Sequence, residues 1–401
     1  MKEVTANFSA KDIEREVQEY WRTHGTYQAV KEQRERSGKA FFFVDGPPYT
    51  TGQIHLGTAW NKILKDSILR YHRMNGKNVI DRAGYDMHGL PIEVKVEQKL
   101  GFVSKKDIET FGIEKFINEC REFAIKNKEL MDAQFTNLGI WMDFPNAYQT
   151  IKPWYVEAAW WTLAKAQEKG MLERGYRVVN WCPRCETAIA DAEVEYWDET
   201  DPSVFVKFPI KGKADEYLVI WTTTPWTLPA NVAVAVGKEF VYARVHAEKN
   251  GHEEYLWIAE DLVKSVLKKG RYQKFDILEK KNGAELVGWE YDSPLLDKVP
   301  LQKEIAHRVV TADFVTMENT GMVHIAPGHG WDDYVLGTKE KLAIVCPVDG
   351  AGKFRPEAGI FAGKFVRDAN QDVLDALGER LLATEKITHR YGHCWRCKTP
   401  I

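Results

Sequence analysis

The chain lacks long apolar runs and any excess of charge of one sign. Its apolar runs are far shorter than a membrane span, and its start, MKEVTANFSAKDIE, contains no apolar signal region. These absences exclude a membrane-spanning protein and argue against secretion, so we expect a cytoplasmic protein without a membrane partner. With 55 lysines and arginines against 58 acidic residues, a nucleic acid must be held by a local basic patch.

One stretch is a candidate for such a patch, KSVLKKGRYQK at residues 264–274. A solvated helix end is the simpler interpretation of a run of this kind, and both interpretations stay open.

Internal repeats, low-complexity segments and Gly/Ser linkers are also missing. The 401 residues are enough for two or more domains, and an apolar content of 44% can fill sizeable cores. The helix–strand pattern of the first part and the β-rich pattern of the later part are not separated by a linker. We therefore expect the second domain to be inserted into the first.

The first half alternates between strand and helix patterns. Residues 9–36 predict a polar surface helix capped by Ser9. Between Phe41 and about Gly101, strands at 41–44 and 78–83 alternate with glycine-rich turns and helices, which indicates a doubly wound parallel sheet whose ligands bind beyond the strand ends. The first of these helices is predicted to pack one apolar face, formed by Trp60, Ile63, Leu64, Ile68 and Tyr71.

The predicted secondary structure changes further along the chain. Residues 105–175 are expected to be mostly helical. From about 200 to 385, short β-branched and aromatic runs broken by Gly, Pro and Asp predict a mainly β-barrel domain with a few helices.

Only six cysteines occur, and four of them form two matched CxxC knuckles: Cys182-Pro-Arg-Cys185 and Cys394-Trp-Arg-Cys397. Four thiolates in two such pairs are the typical ligands of a structural Zn2+ ion. A redox motif is the competing interpretation, but matched knuckles favour zinc. If one ion binds both pairs, the chain leaves the site, builds the second domain and returns, as an insertion does. Cys120 and Cys346 are expected to be buried thiols.

His55 stands between glycines at a predicted strand-to-helix turn. Gly52 and Gly57 would let the backbone approach a ligand, and the following helix start and the imidazole would donate hydrogen bonds to an anionic polyphosphate. A satisfied surface or core histidine is the alternative for such a residue alone. Asp86 and His88 occupy the corresponding turn after the next strand, so both turns are expected to face one crevice.

The stretch PPYTTGQIHLGTAWNK resembles the nucleotide-binding signature of class I aminoacyl-tRNA synthetases. Together with four further motifs in the family's order, it is similar to the isoleucyl-tRNA synthetases of archaeal and eukaryotic type over essentially the whole chain: GYDMHGLPIE, VNWCPRCETAIADAEVEY, WTTTPWTLPAN and GMVHIAPGHGWDDY. The resemblance implies ATP with Mg2+, isoleucine and tRNA(Ile) as substrates, and a monomer.

The resemblance also implies a domain plan. A helical arm at 1–40 precedes the first half of a Rossmann-like catalytic domain at 41–181. A zinc-knuckle region at 182–198 and 389–401 forms the root of an editing domain inserted at 199–388.

Carried over position by position, the ATP and aminoacyl-adenylate site comprises Pro47, Pro48, Tyr49, Gly52, His55, Gly57, Thr58, Asp86 and His88. His55 and Thr58 match the catalytic signature, where Thr58 offers a hydroxyl in place of the second histidine. Asp86 matches the carboxylate that holds the substrate's α-ammonium group. The implied reaction is attack of the isoleucine carboxylate on the α-phosphate of ATP, with pyrophosphate leaving.

The resemblance assigns a hydrolytic editing pocket to the inserted domain: Trp221, Thr222, Thr223, Thr224, Thr227, His324 and Asp333. Taken alone, the threonine-rich run could be an ordinary strand end and His324 a packed strand histidine. In the family pattern, Asp333 holds the α-ammonium group of a mischarged valine. Thr223 and Thr224 position the terminal adenosine or the attacking water, and Thr224 and Thr227 line the small pocket.

The chain contains no Lys-Met-Ser-Lys-Ser sequence and no helical anticodon-binding region. We therefore expect a truncated N-terminal part of such an enzyme, in which adenylation is incomplete. A stand-alone deacylase that edits mischarged tRNA in trans and a non-catalytic tRNA-binding zinc module are the alternatives. The intact nucleotide-binding turn and Asp86 argue against both, since neither role needs an ATP site.

Overall fold

A computed structural model of the chain describes residues 9–37 and 39–401. The chain divides into two compact units, which we call unit 1 (Met1–Arg174) and unit 2 (Gly175–Ile401). Residues 1–8 of the predicted arm lie outside the described residues. The predicted domain limits stay predictions. Across the described ranges, the helices are too short or too polar to cross a bilayer.

Unit 1 combines helices with short strands. Its helices are α1 (Ala10–Thr23), α2 (Thr26–Ser37), α3 (Leu56–Met74), α4 (Leu90–Leu100), α5 (Lys105–Phe111), α6 (Ile113–Asn137) and α7 (Pro153–Glu168). Its strands are β1 (Ala40–Phe42), β2 (Asn78–Ile80), β3 (Arg82–Tyr85) and β4 (Asp143–Gln149).

The strands of unit 1 form two parallel pairs, β1 with β2 and β3 with β4. The single strand predicted at 78–83 is wrong, because Asp81 interrupts it. The Asp81 side chain is buried and accepts hydrogen bonds from Arg73 of α3 and from Tyr27 of α2. This carboxylate ties both helices to the break between β2 and β3.

Two helical predictions also need correction. The helix predicted at 9–36 is two helices, because Gly25 between α1 and α2 adopts a positive φ of 57° that ends the first one. Ser9 precedes α1 but does not cap it, since its hydroxyl donates to the Asp12 carboxylate at 2.7 Å. The region 105–175 is mostly helical but also contains β4, which the sequence pattern missed.

Helix α3 buries its polar side rather than the predicted apolar face. Its buried residues are Lys62, Asp66, Leu69 and Arg73, whereas the residues of the predicted face are exposed: Trp60, Ile63, Leu64, Ile68 and Tyr71. The cause is a set of ion pairs beneath the helix. Lys62 pairs with the buried Asp45, and Arg73 pairs with Asp81.

Unit 2 is mainly β-structure. Its strands are β5 (Asn180–Cys182), β6 (Thr187–Ile189), β7 (Val194–Pro209), β8 (Glu216–Thr222), β9 (Ala233–Val236), β10 (Val241–Lys249), β11 (His252–Ala259), β12 (Lys274–Asn282), β13 (Arg308–Thr311), β14 (Met322–Ile325) and β15 (Leu381–Cys394). Its helices are α8 (Val263–Gly270), α9 (Gly283–Leu286), α10 (Trp331–Lys339) and α11 (Asn370–Leu377).

One mixed sheet of nine strands organises unit 2. Its main path runs β12-β10-β11-β8-β14-β9-β13, and β7 pairs with β8 and β15. Residues 288–292 link the edge strand β13 to the end of β7, because the Val309 N–H donates to the Trp289 carbonyl and the Asp292 N–H donates to the Pro209 carbonyl, both at 2.9 Å. The sheet therefore curls towards the barrel that the sequence predicted. The inner face packs large apolar side chains, among them Leu218, Ile220 and Trp257.

A long antiparallel ribbon of β7 and β15 extends from this sheet. Its register runs from the Leu381–Val206 pair inside the sheet to the Cys394–Val194 pair beside the second knuckle. The ribbon therefore connects the apolar core of unit 2 to the cysteine knuckles.

The basic stretch at 264–274 forms most of α8 and the start of β12. Its Lys269 pairs with Glu385, and its Lys274 lies 3.3 Å from Glu248. The structure thus agrees with the simpler interpretation, a solvated helix end whose charges are partly neutralised.

Candidate functional site

In unit 1, His55 is the N-terminal cap of α3. Its Nδ1 accepts a hydrogen bond from the Thr58 backbone N–H at 3.3 Å. A neutral ring that accepts through Nδ1 carries its proton on Nε2, so the exposed imidazole retains one donor. A Cβ on Gly57 would lie 3.0 Å from His55 Cε1, which explains why glycine follows the capping ring.

The Pro47–Tyr49 turn lies beside Asp86. The Asp86 backbone N–H donates to the Pro48 carbonyl at 3.0 Å, and the Thr50 N–H donates to the Asp86 carbonyl at 3.1 Å. These two hydrogen bonds place the two turns side by side. The exposed His88 follows on the loop before α4, and no hydrogen bond to the rest of the described chain holds its side chain.

Sequence reasoning missed two residues that support this turn. Asp45 is fully buried and accepts from Lys62, from Lys65 at 2.8 Å and from the Gly84 N–H at 3.0 Å. Thr150 donates to Asp86 Oδ1 at 3.3 Å and accepts from the Met87 N–H. Asp45 precedes the Gly-Pro-Pro turn, which is a usable signal, whereas Thr150 is remote in sequence and gives none.

In unit 2, all seven predicted editing residues line one cavity of about 1300 Å³: Trp221, Thr222, Thr223, Thr224, Thr227, His324 and Asp333. The threonine run begins with Thr222 at the end of β8 and continues after it, His324 lies on β14, and Asp333 lies in the first turn of α10. Parallel pairing of β14 with β8 at Val323 and Trp221 brings the first two groups together.

The threonines are held by a chain of hydrogen bonds that ends at His324. The Thr227 hydroxyl donates to the Thr224 carbonyl at 2.8 Å, and His324 Nε2 lies 2.8 Å from Thr227 Oγ1. Asn231, which sequence reasoning missed, donates to His324 Nδ1 at 3.3 Å. His324 therefore donates through Nε2 to Thr227.

Burial determines the charge of the two histidines that line the cavity. Burial lowers the pKa of His324 to about 3 and that of the neighbouring His329 to about 4, so both rings are neutral at pH 7. Thr223 is the threonine of the run whose hydroxyl makes no hydrogen bond to another described residue, and it is half-buried on the cavity wall. It is therefore available to a ligand.

Asp333 supplies a half-buried carboxylate to the cavity. Its Oδ2 accepts from the Ala326 backbone N–H at 2.9 Å, which fixes the side chain against the loop after β14. Burial raises its pKa, opposed by this hydrogen bond. A Cβ on Gly330 would lie 3.0 Å from Asp333 Cγ, so glycine at 330 makes room for the carboxyl group.

The two knuckles meet in unit 2 although more than 200 residues separate them. The four thiol sulfurs lie within 4.8 Å of one another: Cys182, Cys185, Cys394 and Cys397. Tetrahedral zinc with Zn–S bonds of about 2.3 Å needs sulfurs separated by roughly 3.8 Å, so this donor set fits such an ion. The Cys185 N–H donates to Cys182 Sγ at 3.3 Å.

The prediction that both remaining cysteines are buried is wrong, because Cys346 is exposed and Cys120 is half-buried.

The chain is similar to known proteins over its whole length. Residues 16–346 match the family model of the class I tRNA synthetases (I, L, M and V). The isoleucine–tRNA ligase of Methanoregula boonei is 92% identical over the whole chain, which covers 37% of that protein. The isoleucine–tRNA ligase of Methanospirillum hungatei is 68% identical over the whole chain and 38% of its own length. The chain thus spans a little over a third of these relatives.

Among solved structures, the ternary complex of Agrobacterium radiobacter K84 agnB2 LeuRS with tRNA and LeuAMS is similar at 17% identity and a TM-score of 0.38, covering 97% of this chain and 50% of that one. A score this low adds nothing to the sequence match. The family model covers most of the chain, and the chain therefore belongs to the class I tRNA synthetases of the isoleucine, leucine, methionine and valine group.

Proposed function

We propose that the chain carries the adenylation turn and the editing cavity of an isoleucine–tRNA ligase. The observation that carries the proposal is that every predicted editing residue lines one cavity, in a chain 92% identical to such a ligase. The complete enzyme activates isoleucine with ATP, transfers it to tRNA(Ile) and hydrolyses valine attached in error. The paired Pro48 and Asp86 turns support a synthetase over a stand-alone deacylase or a zinc module.

The proposal extends to the architecture. Unit 1 is the first half of a Rossmann-like sheet, and residues 199–388 are an insertion whose root is the knuckle region. The parallel strand pairs and the β7–β15 ribbon support this plan. The four thiols hold a structural Zn2+, which fixes the two ends of the insertion and takes part in no chemical step.

In unit 1, the ATP phosphates bind at the N-terminus of α3. The His55 Nε2–H, the Thr58 hydroxyl and the positive end of the helix dipole neutralise their charge, together with the Mg2+ that accompanies ATP. Asp86 holds the α-ammonium group of isoleucine. One carboxylate oxygen then attacks the α-phosphorus, and the bond to the pyrophosphate oxygen breaks. Such a step depends on positioning and charge neutralisation rather than on covalent help.

In unit 2, the terminal adenosine of valyl-tRNA binds near Thr223 and Thr224, and Asp333 holds the valine ammonium group. Water attacks the ester carbonyl, the ester C–O bond breaks, and the ribose oxygen leaves as a hydroxyl. Thr227, fixed by His324, blocks the extra methylene of isoleucine. One methylene gives an activation site only about 1–3 kcal/mol of discrimination, a limit long established for this class of enzyme, so a second site is needed.

The test is release of labelled valine from Val-tRNA(Ile) by the 401-residue chain. Asp333→Ala should slow release by about tenfold to a hundredfold, since a charge-assisted hydrogen bond contributes roughly 1.5–3 kcal/mol. The matched control is Asp332→Ala, which removes an exposed neighbouring carboxylate that does not line the cavity. Equal rates for the two variants would reduce Asp333 to a loop-fixing residue.

A further inference from the structure

An exposed tryptophan stands at the cavity beside the editing carboxylate. Trp331 is the first residue of α10, two positions before Asp333, and 54% of its surface is exposed. It lines the same cavity as Thr223 and Asp333. A tryptophan this exposed contributes little to a core, so its indole ring is available for contact with another molecule.

An arginine is held over this ring. The Arg177 guanidinium lies 5.8 Å from the centre of the Trp331 ring. The Tyr334 hydroxyl donates to the Tyr176 carbonyl at 2.6 Å, so a separate hydrogen bond ties the Arg177 segment to α10. The pair is therefore positioned by the fold and not only by its own cation–π attraction, which is weak at exposed sites.

The charges around the cavity favour an anion at this place. Arg177 and Arg367 are its two lining arginines. The Arg367 guanidinium already lies 3.0 Å from Asp201 and 3.5 Å from Glu199. Arg177 forms no ion pair with any carboxylate in residues 9–37 and 39–401, so its charge is free to meet a phosphate.

The cavity also has room for more than one nucleoside. Its volume of about 1300 Å³ exceeds the roughly 300–1,000 Å³ of ordinary small-molecule sites. An aromatic ring with an arginine beside it is the usual platform for single-stranded nucleic acid, because every base has a face that can stack.

We propose that Trp331 and Arg177 form a stacking site for a base of the unpaired 3′ end of tRNA, next to the nucleotide whose ester is hydrolysed. The indole ring stacks on the base and the guanidinium contacts the adjoining phosphate. The proposal rests on the editing function proposed above and adds a binding contact to it. Because stacking is indifferent to base identity, the site contributes affinity rather than sequence selection.

The first test separates binding from chemistry in hydrolysis of Val-tRNA(Ile) by the 401-residue chain. Trp331→Ala should raise KM roughly tenfold and leave kcat within about twofold of the wild-type value. Trp331→Phe retains an aromatic ring and should have a KM close to that of the wild type. The control is Trp160→Ala, which removes a tryptophan of α7 that is 67% exposed. An unchanged KM in Trp331→Ala would overturn the stacking site and leave the editing proposal intact.

The second test reads the phosphate contact. Arg177→Ala should make the slope of log affinity against log salt concentration shallower by about one unit. Lys268→Ala removes an equal charge from the exposed side of α8 and should leave this slope unchanged. The probe is a fluorescently labelled single-stranded RNA that ends in CCA, followed by anisotropy. This readout needs no hydrolysis, so it judges the stacking site even if the chain releases no valine. Equal affinities for wild type, Trp331→Ala and Arg177→Ala would contradict the proposal.

Discussion

Units 1 and 2 bury different kinds of side chain under their main elements. In unit 1, α3 turns Lys62 and Arg73 inward and leaves Leu64 and other apolar residues exposed. In unit 2, the central strands bury Leu218 and Trp257 completely. Unit 2 is thus stabilised mainly by apolar burial. The position of α3 instead depends on ion pairs, whose net contribution is small but whose disruption is costly.

The largest effect on stability is expected from removing the thiol cluster of unit 2. Cys182→Ser combined with Cys394→Ser should abolish binding of one zinc per chain, because structural zinc contributes about 10–16 kcal/mol in small domains. Cys120→Ser combined with Cys346→Ser removes as many thiols and should retain the metal. Elemental analysis with thermal unfolding measures both. A folded wild-type chain without zinc would contradict this prediction.

The next effect concerns the buried ion pair of unit 1. Burial lowers the pKa of Lys62 against the attraction of Asp45, so Asp45→Ala leaves a poorly solvated cation. We expect a loss of about 3–5 kcal/mol of unfolding free energy, and partial recovery when Lys62→Met is added. Glu19→Ala breaks an exposed ion pair with Arg22 and should cause no measurable change. Urea unfolding of the three variants and the wild type measures these losses. An Asp45→Ala variant with the unfolding free energy of the wild type would show that ion pairs do not hold α3.

A matched pair of leucines tests the same contrast for apolar side chains. Leu218→Ala should cost about 2–5 kcal/mol, because Leu218 is fully buried in the sheet. Leu64→Ala should change stability by less than about 0.5 kcal/mol, because Leu64 is 54% exposed on α3. Equal losses in chemical unfolding would mean that the apolar face of α3 is covered in solution.

The smallest effect is a pH dependence of unit 2. Burial lowers the pKa of His307 to about 4, below its unfolded value of about 6.5. The folded state therefore favours the neutral ring, and its contribution is complete above pH 6.5 and lost as the pH falls towards 4. The loss should reach about 3 kcal/mol.

His307→Gln should flatten this decline, whereas His252→Gln, at an exposed position of β11, should not. Urea unfolding at pH 7 and pH 4.5 provides the comparison. A decline of equal steepness in both variants would assign the acid sensitivity to other groups.

The sequence predicted local chemistry better than it predicted which face of a helix is buried. The turn glycines, the place of His55 at a strand-to-helix turn and the spacing of the knuckles are short-range features, and they identified residues that the fold brings together. The apolar face of α3 was misjudged because helical periodicity does not show that Asp45 and Asp81 attract the opposite, charged face. Asn231 and Thr150 were missed because their contacts depend on strand pairing over long separations.

The most direct test of the account is the ratio of valine to isoleucine release from tRNA(Ile) by the same 401-residue chain. The cavity with Thr227 held by His324 should hydrolyse Val-tRNA(Ile) at least about tenfold faster than Ile-tRNA(Ile), the lower end of what one methylene allows. Asp333→Ala should slow release of valine about tenfold to a hundredfold. Release of isoleucine at an equal or greater rate would contradict the claim that unit 2 contains an editing site.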